Sequence, residues 1–344
     1  KLGLDSKRIF WHRAIDIEDR ALREIVIGLG KKNSPRRKES FLMTAASEIM
    51  AILSLAESYA GLKKRLDKIV IGVNRKGKFV KVKILGVTGA MAALLKNALQ
   101  PNLAQSTEHS AVFIHGGAFG NIAHGCSSAI ASKLGLKLAD YVVTEAGFGS
   151  ELGMEKFFNI KCRQAKLKAD CVVIVATIKA LKEHGKSKNL QKPDLDAVTN
   201  GFSNLQKHIE NVKEFGLPCM VVINEFPSDS QAEINLVKNL CKAVWVEAEV
   251  SELYAKCSPA GHGLAKKLVR LCSSKNKFKL LYKNSDSIKE KMDKITTKMY
   301  GAVGVNYTRQ ANREISEIEK EGYGKLPVCV AKTQYSLSDR KHLL

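Results

Sequence analysis

None of the eight cysteines is paired at CxxC spacing, so the chain carries neither a zinc-ribbon pattern nor a thioredoxin-type redox motif. Most sit inside apolar runs such as "CVVIVAT" and "CMVVIN", where reduced, buried thiols belong. At Cys126, just after His124-Gly125, a reactive thiol is weighed against inert packing, and packing is favoured. No apolar run reaches the roughly eighteen residues that a membrane span requires. The opening "KLGLDSKRIFWHRAID" has no apolar core of a signal peptide. Aromatic residues make up only 6% and do not alternate with basic ones, which argues against an RNA-reading surface. No GxxxxGK[ST] phosphate-binding loop occurs anywhere in the 344 residues.

What is present in excess is positive charge, formally +22. Such a balance favours anionic partners: phosphorylated small molecules, polyanionic tails or nucleic acid. The lysines are spread through the chain, and only "KKNSPRRK" (31–38) is dense; it reads as a solvated loop. Without a basic stripe, nucleic acid ranks last among the partners.

Short apolar runs, each closed by a turn signal, predict buried strands at 68–73, 111–115, 141–144, 171–177, 219–224, 243–250 and 328–332. Between them lie helix-period segments. In "GFSNLQKHIENVKEFG", Phe202, Leu205, Ile209 and Val212 share one face and Gly216 ends the helix. "SEIMAILSLAESYAGLKKRL" (47–66) reads as one long helix opening on a Ser cap, and 256–300 as a less regular, lysine-rich stretch. Apolar strands alternating with helices imply an α/β fold: a mostly parallel sheet with helices on both faces, plus smaller α/β subdomains. Ligands of such folds bind past the carboxyl ends of strands.

Three strand-end elements therefore carry the candidates. "TEAGFGSELGMEKFF" (144–158) places Glu145 before Gly147, Gly149 and Gly153, a GxGxxxG spacing that fits no dinucleotide fingerprint. Glu145 could hold a magnesium ion for a nucleotide; on the residues alone a helix start with dipole-favoured acids is preferred. "HGGAFGNIAHG" (115–125) offers backbone N–H groups for an anion, with His124 as an acid–base candidate or an internally bonded packing residue. "NEFPSDS" (224–230) makes a ledge of Phe226 and Pro227 on which a flat ring could stack, although in isolation a buried turn Phe is the plainer reading.

Taken together, "ASEIMAILSLAESYAGLKKRLDKIVIG", "FGNIAHGCSSAIASK", "DYVVTEAGFGSELGMEKFFNIKCR", "LQKHIENVKEFGLP" and "LPVCVAKTQYSLSD" make the chain resemble the formate–tetrahydrofolate ligase family along essentially its whole length. The resemblance implies a P-loop NTPase-like nucleotide-binding core, its remainder at 1–185 and a folate-side region at 186–344. It implies ATP with Mg²⁺, activation by K⁺ or NH₄⁺, a cytoplasmic homo-oligomer (commonly a tetramer) and no membrane. Formate would be phosphorylated to formyl phosphate, whose carbonyl the N10 amine of tetrahydrofolate, often polyglutamylated, then attacks. Motif by motif it places Glu145, Gly147, Gly149 and Lys332 near the nucleotide, Glu145 as metal-side acid, and gives Glu145, Asn121 and His124 as the catalytic residues. Phe226, Pro227 and Tyr254 fall to the folate, Tyr254 standing where Trp is usual.

Departures from the pattern fall in loops: Ala118 for Pro, Gly185-Lys186 for a Gly pair, "CSPAGHG" for a glycine-rich loop, and "SPRRKESFLMTAASE" without its usual Asp. The family's phosphate loop, its formate-binding Arg and its C-terminal segment have no counterpart in these residues, so the chain is expected to be a fragment or a degenerate copy. A non-catalytic folate-binding or assembly subunit is the alternative. Either way the 344 residues alone are expected to show no ligase turnover, checked by assaying 10-formyltetrahydrofolate formation from formate and ATP.

Overall fold

A computed structural model describes residues 2–17, 19–33, 35–119, 122, 124–125, 127–253, 258–331 and 335–340. The chain divides into two compact units, the first made of residues 1–147, 160–166 and 308–331, the second of 148–159, 167–307 and 332–344.

The first unit is built on short, mostly antiparallel pairings. Strands β1 (Leu4–Ile9), β2 (Arg13–Ala14), β3 (Ile25–Ile27), β4 (Arg37–Glu39), β5 (Phe41–Leu42), β6 (Val70–Asn74), β7 (Phe79–Lys81), β8 (Asn102–Gln105) and β9 (Ala111–Ile114) form four small sheets. The largest has the order β1-β6-β7, all antiparallel. Turn chemistry dictates this: β6 and β7 are joined by Arg75–Lys78, with Gly77 at φ 78° and its N–H on Asn74 O. So tight a link can only return the chain antiparallel. Beneath that sheet lie α1 (Glu48–Leu55), α2 (Tyr59–Leu66) and α3 (Thr88–Leu94), whose Leu53, Leu62, Leu66 and Ala92 pack with Ile69, Ile71 and Val80 into one core.

Several expectations need correcting here. The segment 47–66 is two helices, because Ser58 supplies a second cap, accepting from Gly61 N, just as Ser47 accepts from Met50 N. Residues 141–144 form no strand. Tyr141, Val142 and Val143 are exposed without regular structure, since strand propensity needs a paired neighbour to act on. Residues 328–331 are likewise outside any strand. The end of the basic run is not a solvated loop: Arg37 lies in β4 with its guanidinium 3.0 Å from buried Glu39. Helices α4 (Ala129–Leu138) and α5 (Arg163–Ala165) also belong to this unit.

The second unit holds the βαβ architecture the sequence pattern implies. Strands β10 (Val172–Ala176), β11 (Cys219–Asn224) and β12 (Glu247–Ser251) run parallel in that order. The central strand reads as an unbroken apolar run because both of its faces are covered. Helices α6 (Ile178–His184), α7 (Leu195–Glu214) and α8 (Gln231–Ala243) make the crossovers. Stretch 256–300 is more regular than expected, with α9 (His262–Cys272) and α10 (Ile288–Tyr300), the latter opened by a Ser287–Glu290 capping box. A final helix, α11 (Arg309–Lys320), returns to the first unit, where Glu317 pairs with Arg8. The chain is thus α/β, but its parallel sheet has three strands; the remaining sheets are small and mostly antiparallel.

Helices α6 and α7 cross at van der Waals contact through glycine. A Cβ on Gly201 would lie 1.9 Å from Leu181 O, and one on Gly185 1.8 Å from Ala197 O. Gly201→Ala must push the helices apart, and we expect a loss of ~1–3 kcal/mol in urea denaturation; unchanged stability would show that the crossing yields freely.

Candidate functional site

The carboxyl edge of the parallel sheet is the best-organised polar region. Past β11 the chain turns sharply at Phe226–Asp229: Phe226 N–H donates to Asp229 Oδ2 at 2.9 Å, and Asp229 N–H donates to Phe226 O at 2.9 Å. This clamp leaves the Phe226 ring 41% exposed, so it is a presented aromatic rather than a buried one. Burial pushes the Asp229 carboxyl up, while the Phe226 N–H pulls it down.

Directly behind the turn is a buried ion pair. Lys182 Nζ sits 3.1 Å from Glu233 Oε1, and both side chains are fully buried. Lys182 also donates to Lys192 O, and the same Glu233 oxygen accepts from Asp194 N at 3.0 Å. Its second oxygen closes the capping box of α8, accepting from Ser230 N and Oγ. Burial would raise the Glu233 carboxyl, but these donors together hold it below its ordinary value. Sequence reading missed this pair. Its signal was the S-x-x-E box at 230–233, one turn past the ledge.

The glycine turn is held differently. Phe148 adopts φ 66° between Gly147 and Gly149, and the following helix is entirely buried from Glu151 to Cys162, with wide, π-type turns at Ser150–Met154 and Phe157–Cys162. π-type turns recur at functional sites. Glu151 folds back over Gly149, where a Cβ would lie 2.1 Å from Glu151 Oε2. Ser336 Oγ donates to Glu151 Oε1 at 2.8 Å, and His208 Nδ1 lies 3.6 Å from Oε2. Ser150 Oγ is 2.7 Å from His208 Nδ1 and accepts from Asn211 Nδ2, which also donates to Met299 O. Burial raises the Glu151 carboxyl and depresses His208 to about 4, assisted by His184 and Lys207. His208 and Asn211 were legible only as two polar residues at i, i+3 beside the apolar stripe of α7.

The other candidates are placed as follows. Glu145 and Gly147 lie in the first unit, Glu145 exposed. His124 is buried, with Nδ1 donating to Ile122 O at 2.9 Å. His115 is a packing histidine, one nitrogen on Ser128 Oγ (2.6 Å) and the other on Ala98 O (2.8 Å). Gly116 (φ 63°) packs against Ser54 and Ser128, whereas Gly117 faces open space. Asn121, Cys126, Tyr254 and Lys332 lie outside the described residues. The thiols of Cys162, Cys171 and Cys241 are pushed up to about 12 by burial, which makes them inert. Among the described residues no cluster of three His, Cys, Asp or Glu could hold a metal, and no helix is long and apolar enough to cross a membrane.

A family model described as "Formate--tetrahydrofolate ligase" matches residues 1–344. A curated protein of that name from Symbiobacterium thermophilum is 49% identical over 343 residues, covering 98% of this chain. The chain spans 62% of that relative's length.

The buried Glu151–His208 pair generates a pH prediction. His208 resists protonation in the fold, so its contribution is complete above its ordinary value of 6.5 and is lost as pH falls towards about 4. Glu151 works in the opposite sense, favouring the protonated acid, so its contribution fades as pH rises past the ordinary carboxyl value. His208→Gln should remove on the order of 3 kcal/mol of acid destabilisation between pH 6.5 and 4, read from urea midpoints. Parallel acid limbs in the two proteins would show that His208 is not the titrating group.

Proposed function

This chain belongs to the formate–tetrahydrofolate ligase family, and from that premise we propose that it carries the tetrahydrofolate-binding part of an ATP-dependent ligase that forms 10-formyltetrahydrofolate. The observation that supports this best is the Phe226 ring, exposed on a clamped turn at the carboxyl end of the central parallel strand. A pteridine stacked there would gain from both area and ring electrostatics, with Pro227 stiffening the ledge and Tyr254 as the second aromatic. The formal charge of +22 would draw the anionic glutamate tail of the cofactor.

The nucleotide side is proposed on the first unit's Glu145, Gly147, Asn121 and His124, with Gly149 and Lys332 as further candidates. The exposed Glu145 carboxylate fits Mg²⁺ only as one ligand among others, with phosphate oxygens and water supplying the rest, which is how that ion is usually held. Bound there, the ion would neutralise charge at the phosphoryl group that formate takes up. Gly117, with open space where a side chain would point, suits close backbone approach by an anion. His124, buried with its Nδ1 proton on Ile122 O, is the imidazole we assign to proton transfer. The P-loop-type core, the functional division near residue 185, a monovalent cation, self-association and a cytoplasmic location belong to the same proposal.

Tetrahydrofolate titrated into the purified chain should bind in the absence of ATP, and Phe226→Ala should weaken it roughly 3- to 10-fold through lost stacking. Calorimetry showing no binding, or equal affinity for both proteins, would overturn the folate reading.

A further inference from the structure

The ligase reading leaves unused a pair of thiols in the second unit. Cys171 Sγ and Cys272 Sγ lie 3.0 Å apart, although 101 positions separate the two residues in the chain. No CxxC spacing announces them; the fold makes the pair. Cys171 immediately precedes β10, at the amino edge of the parallel sheet, and Cys272 is the last residue of α9. Each is half-buried, whereas Cys162, Cys219 and Cys241 are buried, so a small oxidant reaches the pair more readily than it reaches those three.

The backbone on either side of the pair is already held. Asn276 Nδ2 donates to Asp170 O at 3.2 Å, Lys277 N to Gly216 O at 3.0 Å and Lys279 N to Phe215 O at 2.9 Å. Within α9, Lys267 pairs with Glu247 at 3.0 Å and also with Glu249 of β12. Noncovalent contacts therefore bring the two sulfurs together, and closing an S–S bond of ~2.05 Å asks for little backbone movement. Burial, assisted by the neighbouring Cys272 sulfur, pushes the Cys171 thiol up to about 12. Cys171 thus keeps its proton, donates it to Cys272 Sγ and is a poor first nucleophile. A second thiol needs less, since its partner sulfur is already in contact.

We propose that Cys171 and Cys272 are a redox modification site, closing to a disulfide that stiffens the second unit when hydrogen peroxide oxidises the chain. Cys272 loses its proton to water and its sulfur attacks the peroxide. The S–O bond forms as the O–O bond breaks, and the departing hydroxide takes up a proton as water, leaving a sulfenic acid. The Cys171 sulfur then attacks that sulfur. The S–S bond forms, the S–O bond breaks, and the second hydroxide leaves as water with the Cys171 proton. Two electrons pass from the thiols to the peroxide, and a dithiol reductant returns them by exchange, ending as a disulfide itself. The closed bond encloses β10, β11 and β12 in one covalent loop, which restricts the unfolded chain far more than the folded one. It lies at the edge of the sheet opposite Phe226, so the proposal stands independently of the ligase reading.

The full chain treated with hydrogen peroxide and digested without reductant tests it. A linked Cys171–Cys272 peptide is expected, and it should vanish after dithiothreitol. The melting temperature should rise by roughly 5–10 °C on oxidation and fall back on reduction. Cys171→Ser and Cys272→Ser should show neither the peptide nor the rise, and the wild-type peptide map decides the matter even where a serine variant folds poorly. A map with only unlinked peptides, oxidation confined to the exposed Cys329, a Cys171–Cys219 bond in place of the expected one, or a linked chain with unmoved melting would overturn the proposal.

Discussion

The ion pair between Lys182 and Glu233 is the interaction on which the second unit's polar edge depends. Neither side chain touches water, and each is satisfied several times over: Lys182 also meets Lys192 O, and Glu233 takes Asp194 N, Ser230 N and Ser230 Oγ. Through these bonds one carboxylate joins the α6 crossover, the start of α7 and the start of α8. A buried pair of this kind adds little over a well-packed apolar substitute, but losing one partner leaves an uncompensated charge, which costs about 3–5 kcal/mol. Its consequence is positional. With both helix starts fixed, the four-residue turn between β11 and α8 has little freedom, and the Phe226 ring is presented outward.

The second buried polar cluster works on the same logic with weaker charges. Glu151 can lie over Gly149 only because that residue has no Cβ, and the bend through Phe148 at φ 66° brings the two together. Ser336, near the end of the described chain, reaches back across 185 positions to the same carboxyl. The fully buried helix that begins there packs Phe158 against Phe215 and Phe278, with ring centroids 4.8 and 5.2 Å apart. Gly149 and Glu151 are thus bound into the core of the second unit, which is why the Glu151 carboxyl is pushed towards protonation, while Glu145, a few residues earlier, is exposed.

Much of this was legible in the residues. The apolar run 219–224 is β11 to the residue, Gly216 does end α7 at φ 73°, and Ser47 caps α1. What misled was the reading of the apolar runs as strands of a mostly parallel sheet. Asn74-Arg75-Lys76-Gly77 is a hairpin turn, and its shortness forbids a crossover between β6 and β7. "YVV" at 141–143 shows the complementary error, since apolar composition makes no strand where no ladder is offered. The ledge at Phe226 was named from its motif, but its exposure follows from Asp229, whose two hydrogen bonds to the Phe226 backbone a linear reading does not reveal. Partners such as His208 and Glu151, 57 positions apart, could not be paired from spacing at all.

A double-mutant cycle on Lys182→Met and Glu233→Gln, followed by urea denaturation, bears most directly on the anchoring role of the buried pair. Glutamine keeps one oxygen, enough for the Ser230 donors or for the Asp194 N–H but not for both. That loss recurs in the double variant and cancels in the cycle, so the coupling energy still reports the charge pair. Each single substitution should cost about 3–5 kcal/mol, and the double variant far less than their sum, because removing the second charge leaves nothing uncompensated. Small, additive losses would contradict the anchor and shift the stability of the ledge to the surrounding apolar packing.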